Sequence, residues 1–138
     1  MTSELRVDNL KGSTTGGSIN VLGEGTSATT NLQQGLCKMW ISLDGTGTVA
    51  ITDSNNVSSM TDTATSTYKV TYANNMGQST YPVTGSVIGA SATNFYSFLT
   101  SGGSSTLTAS SVTAQVVHYT GAEPDQDPTH ILSHGDLA

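Results

Sequence analysis

The sequence predicts an all-β protein: an antiparallel β-sandwich, jelly-roll-like, or a small barrel. Three observations predict it. Apolar residues make up only 35% of the 138 positions, and they fall in short runs of period two. Turn residues separate these runs at intervals of roughly ten to fifteen residues, the rhythm of an antiparallel sandwich or barrel. The hydroxylic share is high, with 19 Ser and 23 Thr, or 42 of 138 positions, besides 15 Gly. Threonine suits strands, whereas Ser and Gly suit turns. Charged residues are 10% and Pro number three, a poor match to a disordered polar chain.

The strongest element is the hairpin within residues 38–62. Trp40 and Ser42 alternate with Met39, Ile41 and Leu43. Asp44-Gly45-Thr46-Gly47 is a turn signal, after which Val49 and Ile51 alternate with Thr48, Ala50 and Thr52. Trp40, Ile41, Leu43, Val49 and Ile51 are therefore expected in the core or at an assembly contact. Ser54-Asn55-Asn56 turns the chain, and Val57–Met60 reads as a short strand. Thr67–Tyr72 is a strand with Tyr68, Val70 and Tyr72 on one face, so Tyr68 and Val70 join the expected core. Asn74–Gly77 is a turn. Strands follow at 81–89, 95–99 and 112–119, with loops at 90–94 and 101–105. Pro82 lies near the start of its strand, where a missing N–H matters least.

The ends differ from this core. Residues 1–36 read as an arm. Leu5, Val7 and Leu10 fit a short strand or one helical turn, with the strand favoured. Ser18–Leu22 is a second apolar piece stopped at Gly23–Gly25. Residues 26–36 permit a turn or two of helix, or a polar loop. Residues 37–120 form the β-domain. Residues 121–138 hold two of the three Pro, two of the three His and four acidic residues. They read as an acidic tail, extended at Pro124–Pro128 with one helical turn over Thr129–His134.

A thin core is marginal alone. One Cys cannot form an internal disulfide, so oligomerisation is the expected remedy. The net charge of −6, with Arg6, Lys11, Lys38 and Lys69 scattered, argues against nucleic acid as a partner. No signal peptide is legible at Met1–Arg6, and no run reaches the length of a membrane span, so no membrane insertion is expected.

Chemistry-bearing residues are sparse. His130 and His134 are four apart. On a helix they would share a face and could hold a transition metal, and in a symmetric oligomer one His per chain could meet at the axis. The plainer reading is a solvated tail with no metal. Cys37 has no nearby base, so it reads as a small hydrophobe at a strand start. Asp44, Asp53 and Asp62 could suggest paired carboxylates, but each sits where Asp caps a turn. Tyr81, Tyr96 and Tyr119 are candidate sugar-stacking rings, as is Phe95, against the alternative of core duty. Asn56-Val57-Ser58 fits a glycosylation pattern and reads as a turn. No cofactor and no catalytic residue are expected.

The run Lys38–Ser59 resembles a pattern of tail-fibre and other virion appendage proteins of marine bacteriophages. That pattern is loosely K-x-W-hydrophobic-x-F/L-x-G-T-G-T, a strand, then x-S-x-N-V-S-S-hydrophobic-T-D. Tyr68–Tyr72, Asn74–Met76 and Tyr81–Val83 continue it, and Ser3–Gly12 is similar to the start of such proteins. The likeness spans residues 3–12 and 38–120. It implies a β-rich homotrimer built into the virion, made in the host cytoplasm, with other virion proteins as partners and no enzyme activity. The acidic tail is not part of the pattern, and the fibres are usually longer. A short appendage, or a capsid-decorating cement or head-fibre protein, fits the length better. A host-surface glycan is a further candidate partner, through loops such as Ala73–Ser79 and Ser101–Ser105. Trp40 is then a core or inter-subunit residue and not a sugar platform.

Overall fold

The computed structural model of the chain describes residues 4–15, 19–22, 29–88, 96–99 and 106–138. Gly23–Gly25, Phe95 and the loops expected at 90–94 and 101–105 lie outside the described residues. The chain divides into two compact units, Met1–Leu36 and Cys37–Ala138.

In the first unit, β1 (Asn20–Leu22) pairs antiparallel with β2 (Thr29–Asn31). A single helical turn, α1 (Leu32–Gly35), follows. Asn31 starts it by accepting the Gln33 N–H on its side-chain oxygen at 2.9 Å, which satisfies one orphan donor of the first turn. The strand favoured for residues 5–10 is not formed; residues 4–15 adopt neither helix nor strand. A strand requires a partner for its N–H and C=O groups, and the described residues of this segment have no ladder partner.

The second unit is all-β. One sheet has the order β4 (Ala50–Asn55), β3 (Cys37–Asp44), β10 (Thr129–His134), β7 (Val83–Val87). The other has the order β5 (Val57–Ala64), β6 (Thr67–Tyr72), β9 (Ser111–His118), β8 (Tyr96–Leu99). Every pairing is antiparallel. Both sheets feed one core. Met39, Ile41, Leu43 and Ile131 come from the first sheet, and Tyr68, Val70, Tyr72, Val112 and Ala114 from the second. Each large side chain so buried contributes about 1.5–3 kcal/mol. Two open antiparallel sheets share one core, an arrangement compatible with the layers of a sandwich.

The acidic tail is a correction. Residues 129–134 are neither tail nor helix but the strand β10 at the centre of the first sheet. Its inward residues Thr129, Ile131 and Ser133 are fully buried and lie opposite Leu43, Ile41 and Met39 of β3. The strand is held on both sides, so its backbone groups are satisfied in a way that an isolated tail could not match. Residues before it are also tied down. Gln126 O accepts the Gly45 N–H at 3.0 Å, and Asp125 accepts the Ser66 N–H at 2.7 Å.

Trp40 takes the outer face of the first sheet. β3 buries Met39, Ile41 and Leu43, so strand parity turns Trp40 and Ser42 outward. Trp40 is half-buried, beside Leu132 of β10 on the outer face. Ile51 faces the same side as Leu43 but sits on the edge strand, 40% exposed. Val49 is partly buried against the core.

Close packing explains one glycine. Gly85 of β7 lies opposite Ile131, and a side chain there would meet the Phe98 ring at 2.5 Å. Phe98 from the second sheet fills the space that Gly85 leaves, which locks β7 against β8.

Candidate functional site

The two histidines do not form a pair. On β10 they stand four residues apart along a strand, roughly 13 Å at about 3.3 Å per residue, too far to share one ion. His130 lies opposite Ser42 and Ser86, and Leu132 sits between the two histidines. Among the described residues no group of three His, Cys, Asp or Glu could hold a metal ion.

Two of the three carboxylates are spent on local structure. Asp44 accepts from the Thr46 N–H at 2.8 Å and the Thr46 hydroxyl at 2.6 Å. The Thr46 hydroxyl, then its N–H, holds the Asp44 carboxyl below the usual carboxylate range. This closes the turn that ends with Gly47 at φ 61°. Asp53 accepts the Ser54 N–H, and Asp62 lies on the other sheet opposite Tyr68. Cys37 is half-buried and its thiol donates to Met39 O at 3.0 Å. Asn56, the residue of the glycosylation pattern, uses its amide to bond Lys38 and Asn74.

Tyr81 is a core residue. It is 7% exposed, and its hydroxyl donates to Thr108 O at 2.9 Å with Ser111 O at 3.2 Å. Its oxygen is then left to accept from Tyr72 at 2.7 Å. Burial raises the pKa of both phenols, because the phenolate would lose its hydration. Tyr68 is also buried and donates to Asp125 at 3.2 Å; burial, then the Asp125 charge, raises its pKa. These rings present no face to a ligand.

Tyr96 and Tyr119 behave differently, and a residue not singled out from sequence joins them. The β8–β9 register sets Tyr96 opposite His118. Their rings meet edge-on with centroids 5.3 Å apart, and the His118 and Tyr119 centroids are 4.3 Å apart. His118 Nδ1 lies 2.7 Å from the Thr120 hydroxyl. Its backbone N–H donates to Ala122 O, and its carbonyl accepts from Gly121 N–H, both at 2.8 Å. Tyr119 is 70% exposed. Only the pairing register reveals the cluster, since Tyr96 and His118 are far apart in sequence. This array is the candidate site.

Compared with family models, curated proteins and solved structures, the chain matches none. No described helix is long and apolar enough to cross a membrane.

Proposed function

We propose that the chain is a bacteriophage virion structural protein, a small tail-fibre-like appendage component that works by assembling into a homotrimer on the particle. One observation carries the assembly part of the reading. Six large apolar residues of the first unit are exposed: Leu5 at 74% and Leu22 at 62%, with Val7, Leu10, Val21 and Leu36. A segment of this size exposes six large apolar side chains at a cost, unless a further copy or another virion protein covers them. The virion part rests on the resemblance of residues 3–12 and 38–120. The second unit suits the same role, because its hydroxyl-rich surface is carried on a rigid two-sheet scaffold.

Light scattering on the full chain tests the assembly. The expected mass is three times the 14.2 kDa chain. Leu5→Ser, Val7→Ser and Leu10→Ser together should shift it toward the monomer without unfolding the second unit. A monomeric wild type defeats the reading. Labelled antibody on intact particles tests the location. Label on the tail supports an appendage, and label over the head makes the protein a capsid decoration instead.

A further inference from the structure

We propose that the first unit folds only as it associates: the β1–β2 hairpin of one copy is clamped between the hairpins of two further copies, one on its Val21 face and the other on its Leu22 face. The proposal rests on the assembly reading and deepens it, by naming the surface through which copies meet and by coupling that contact to folding.

Three observations carry it. The first is defined structure without a core. The ladder pairs Asn20 with Asn31, Val21 with Thr30 and Leu22 with Thr29. The Leu32 N–H donates to Ile19 O at 2.8 Å, and the Asn31 side chain starts the turn of α1. Yet among the described residues of this unit none is buried, and Ile19 and Leu32 are only half-buried. Two strands of three residues and one helical turn are too small to hold themselves in water. Fixing their backbone costs entropy that the ladder bonds alone do not offset. Burial against another surface must supply the rest.

The second observation is where the apolar residues stand. Val21 and Leu22 are neighbours on one strand, so they face opposite sides of the hairpin. They are 49% and 62% exposed. A partner laid against one side would cover one and leave the other in water. A chain in a closed ring has a neighbour on each side, and head-to-tail contacts between unlike faces close such a ring. The third observation is charge. Residues 1–36 hold Glu4, Asp8 and Glu24 against Arg6 and Lys11, a net −1 of the chain's −6, which leaves −5 on residues 37–138. Copies therefore repel through their second units and meet at least electrostatic cost through their first. The occupants of the two hairpin faces are thus further copies of the same hairpin.

The test follows the mass and the amide hydrogen exchange of the full chain together over a dilution series. Amides of residues 19–22 and 29–36 should gain at least about tenfold protection as the mass rises, while those of β3, β6 and β9 stay protected throughout. Every contact in the ring joins the two faces. Val21→Asn and Leu22→Asn should therefore each raise the concentration needed for assembly at least about tenfold. The second unit should keep its dispersed amide signals in both variants. Raising salt from about 0.05 to about 0.5 M should favour assembly, because it screens the repulsion between second units. First-unit amides equally protected in the monomer overturn the proposal, as do first-unit amides that exchange freely in the oligomer. So does assembly that either substitution leaves unchanged, or that salt dissolves. A trimer whose first-unit amides exchange freely leaves the assembly reading standing, whereas a chain that stays monomeric at every concentration sinks both.

Discussion

Asn56 grips Asn74 through three hydrogen bonds, two of which copy a β-ladder pair. The Asn56 Oδ1 accepts the Asn74 N–H at 2.7 Å, and the Asn56 Nδ2 donates to the Asn74 carbonyl at 3.0 Å. The same Nδ2 also donates to Lys38 O at 3.0 Å. Asn56 is the single residue between β4 and β5, where the chain leaves one sheet for the other, and it does so at φ 58°. One side chain therefore ties the start of β3, the sheet crossing and the end of β6. Asparagine tolerates the left-handed region better than most residues, and only its amide both donates and accepts here.

Asn56→Ala should cost about 2–3 kcal/mol, from lost hydrogen bonds of roughly 1 kcal/mol each and the left-handed backbone penalty. Asn56→Gly loses the same bonds but removes the backbone penalty, so it should be about 1 kcal/mol milder. Asn56→Asp keeps the acceptor and sets a carboxylate against two carbonyls, so it should not rescue. Urea denaturation of the three variants orders them. An alanine variant within about 0.5 kcal/mol of wild type would show that the clamp is ornamental.

The buried phenols predict a loss of stability at alkaline pH. Tyr68, Tyr72 and Tyr81 have raised pKa values in the folded chain, first because burial disfavours the phenolate. Below pH 10, the ordinary tyrosine value, folded and unfolded chains both hold these protons and the stability is fully present. Above it the unfolded chain releases protons that the folded chain keeps. Each group then lowers stability by up to about 1.4 kcal/mol per pH unit, or about 4 kcal/mol for the three. Denaturant midpoints should hold steady up to pH ~9 and fall steeply toward pH ~11. Tyrosinate absorbance from these three should appear only with unfolding. If all five tyrosines ionise while the fold persists, the core is wetter than described.

What was legible in the sequence follows from how much apolar bulk each strand turns inward. β3, β6 and β9 carry Ile41 and Leu43, Tyr68 and Val70, and Val112 and Val116 inward, and their alternation shows in the chain. β10 was hidden because Thr129 and Ser133 take two of its three inward places. The pattern of Thr-His-Ile-Leu-Ser-His reads as polar unless the burial of Thr and Ser is already known. The bulk of Trp40 suggests a core or inter-subunit place, and parity with Met39 and Ile41 sets it on the outer face. Tyr81 became a candidate platform because sequence does not show the Tyr72 hydroxyl or the Thr108 carbonyl that enclose it. The pairing of Tyr96 with His118 needs a register that no local signal sets.

The two faces of β3 make a direct comparison. Ile41 is 1% exposed and packs into the shared core, whereas Trp40 is half-buried on the outer face. Ile41→Ala should cost about 2–5 kcal/mol, the range for a cavity that the surroundings cannot fill. Trp40→Ala removes a larger side chain but opens no cavity, so it should cost only about 1–2 kcal/mol in the single chain. Chemical denaturation of both variants below the concentration at which the chain associates gives the order. A Trp40 variant less stable than the Ile41 variant reverses the assignment of faces. A Trp40 variant that folds well but no longer oligomerises makes the outer face of the first sheet part of the trimer contact.

Truncation after Thr120 gives the sharpest test of the corrected C-terminal segment. A tail could be removed with little effect on folding. Loss of β10 instead removes a central strand, strips β3 and β7 of their shared partner and exposes Met39, Ile41 and Leu43. It also frees the Ser66 N–H and the Tyr68 hydroxyl from Asp125. Burial of Ile131 alone is worth about 1.5–3 kcal/mol, a large part of the 5–15 kcal/mol that holds a domain of this size, and the ladder bonds add to it. The truncated chain should therefore lack a cooperative melting transition and dispersed amide NMR signals. Ile131→Ala in the full chain is the milder companion, expected to fold with about 2–5 kcal/mol less stability. A truncated protein that melts cooperatively near the wild-type temperature would return residues 121–138 to the status of a tail.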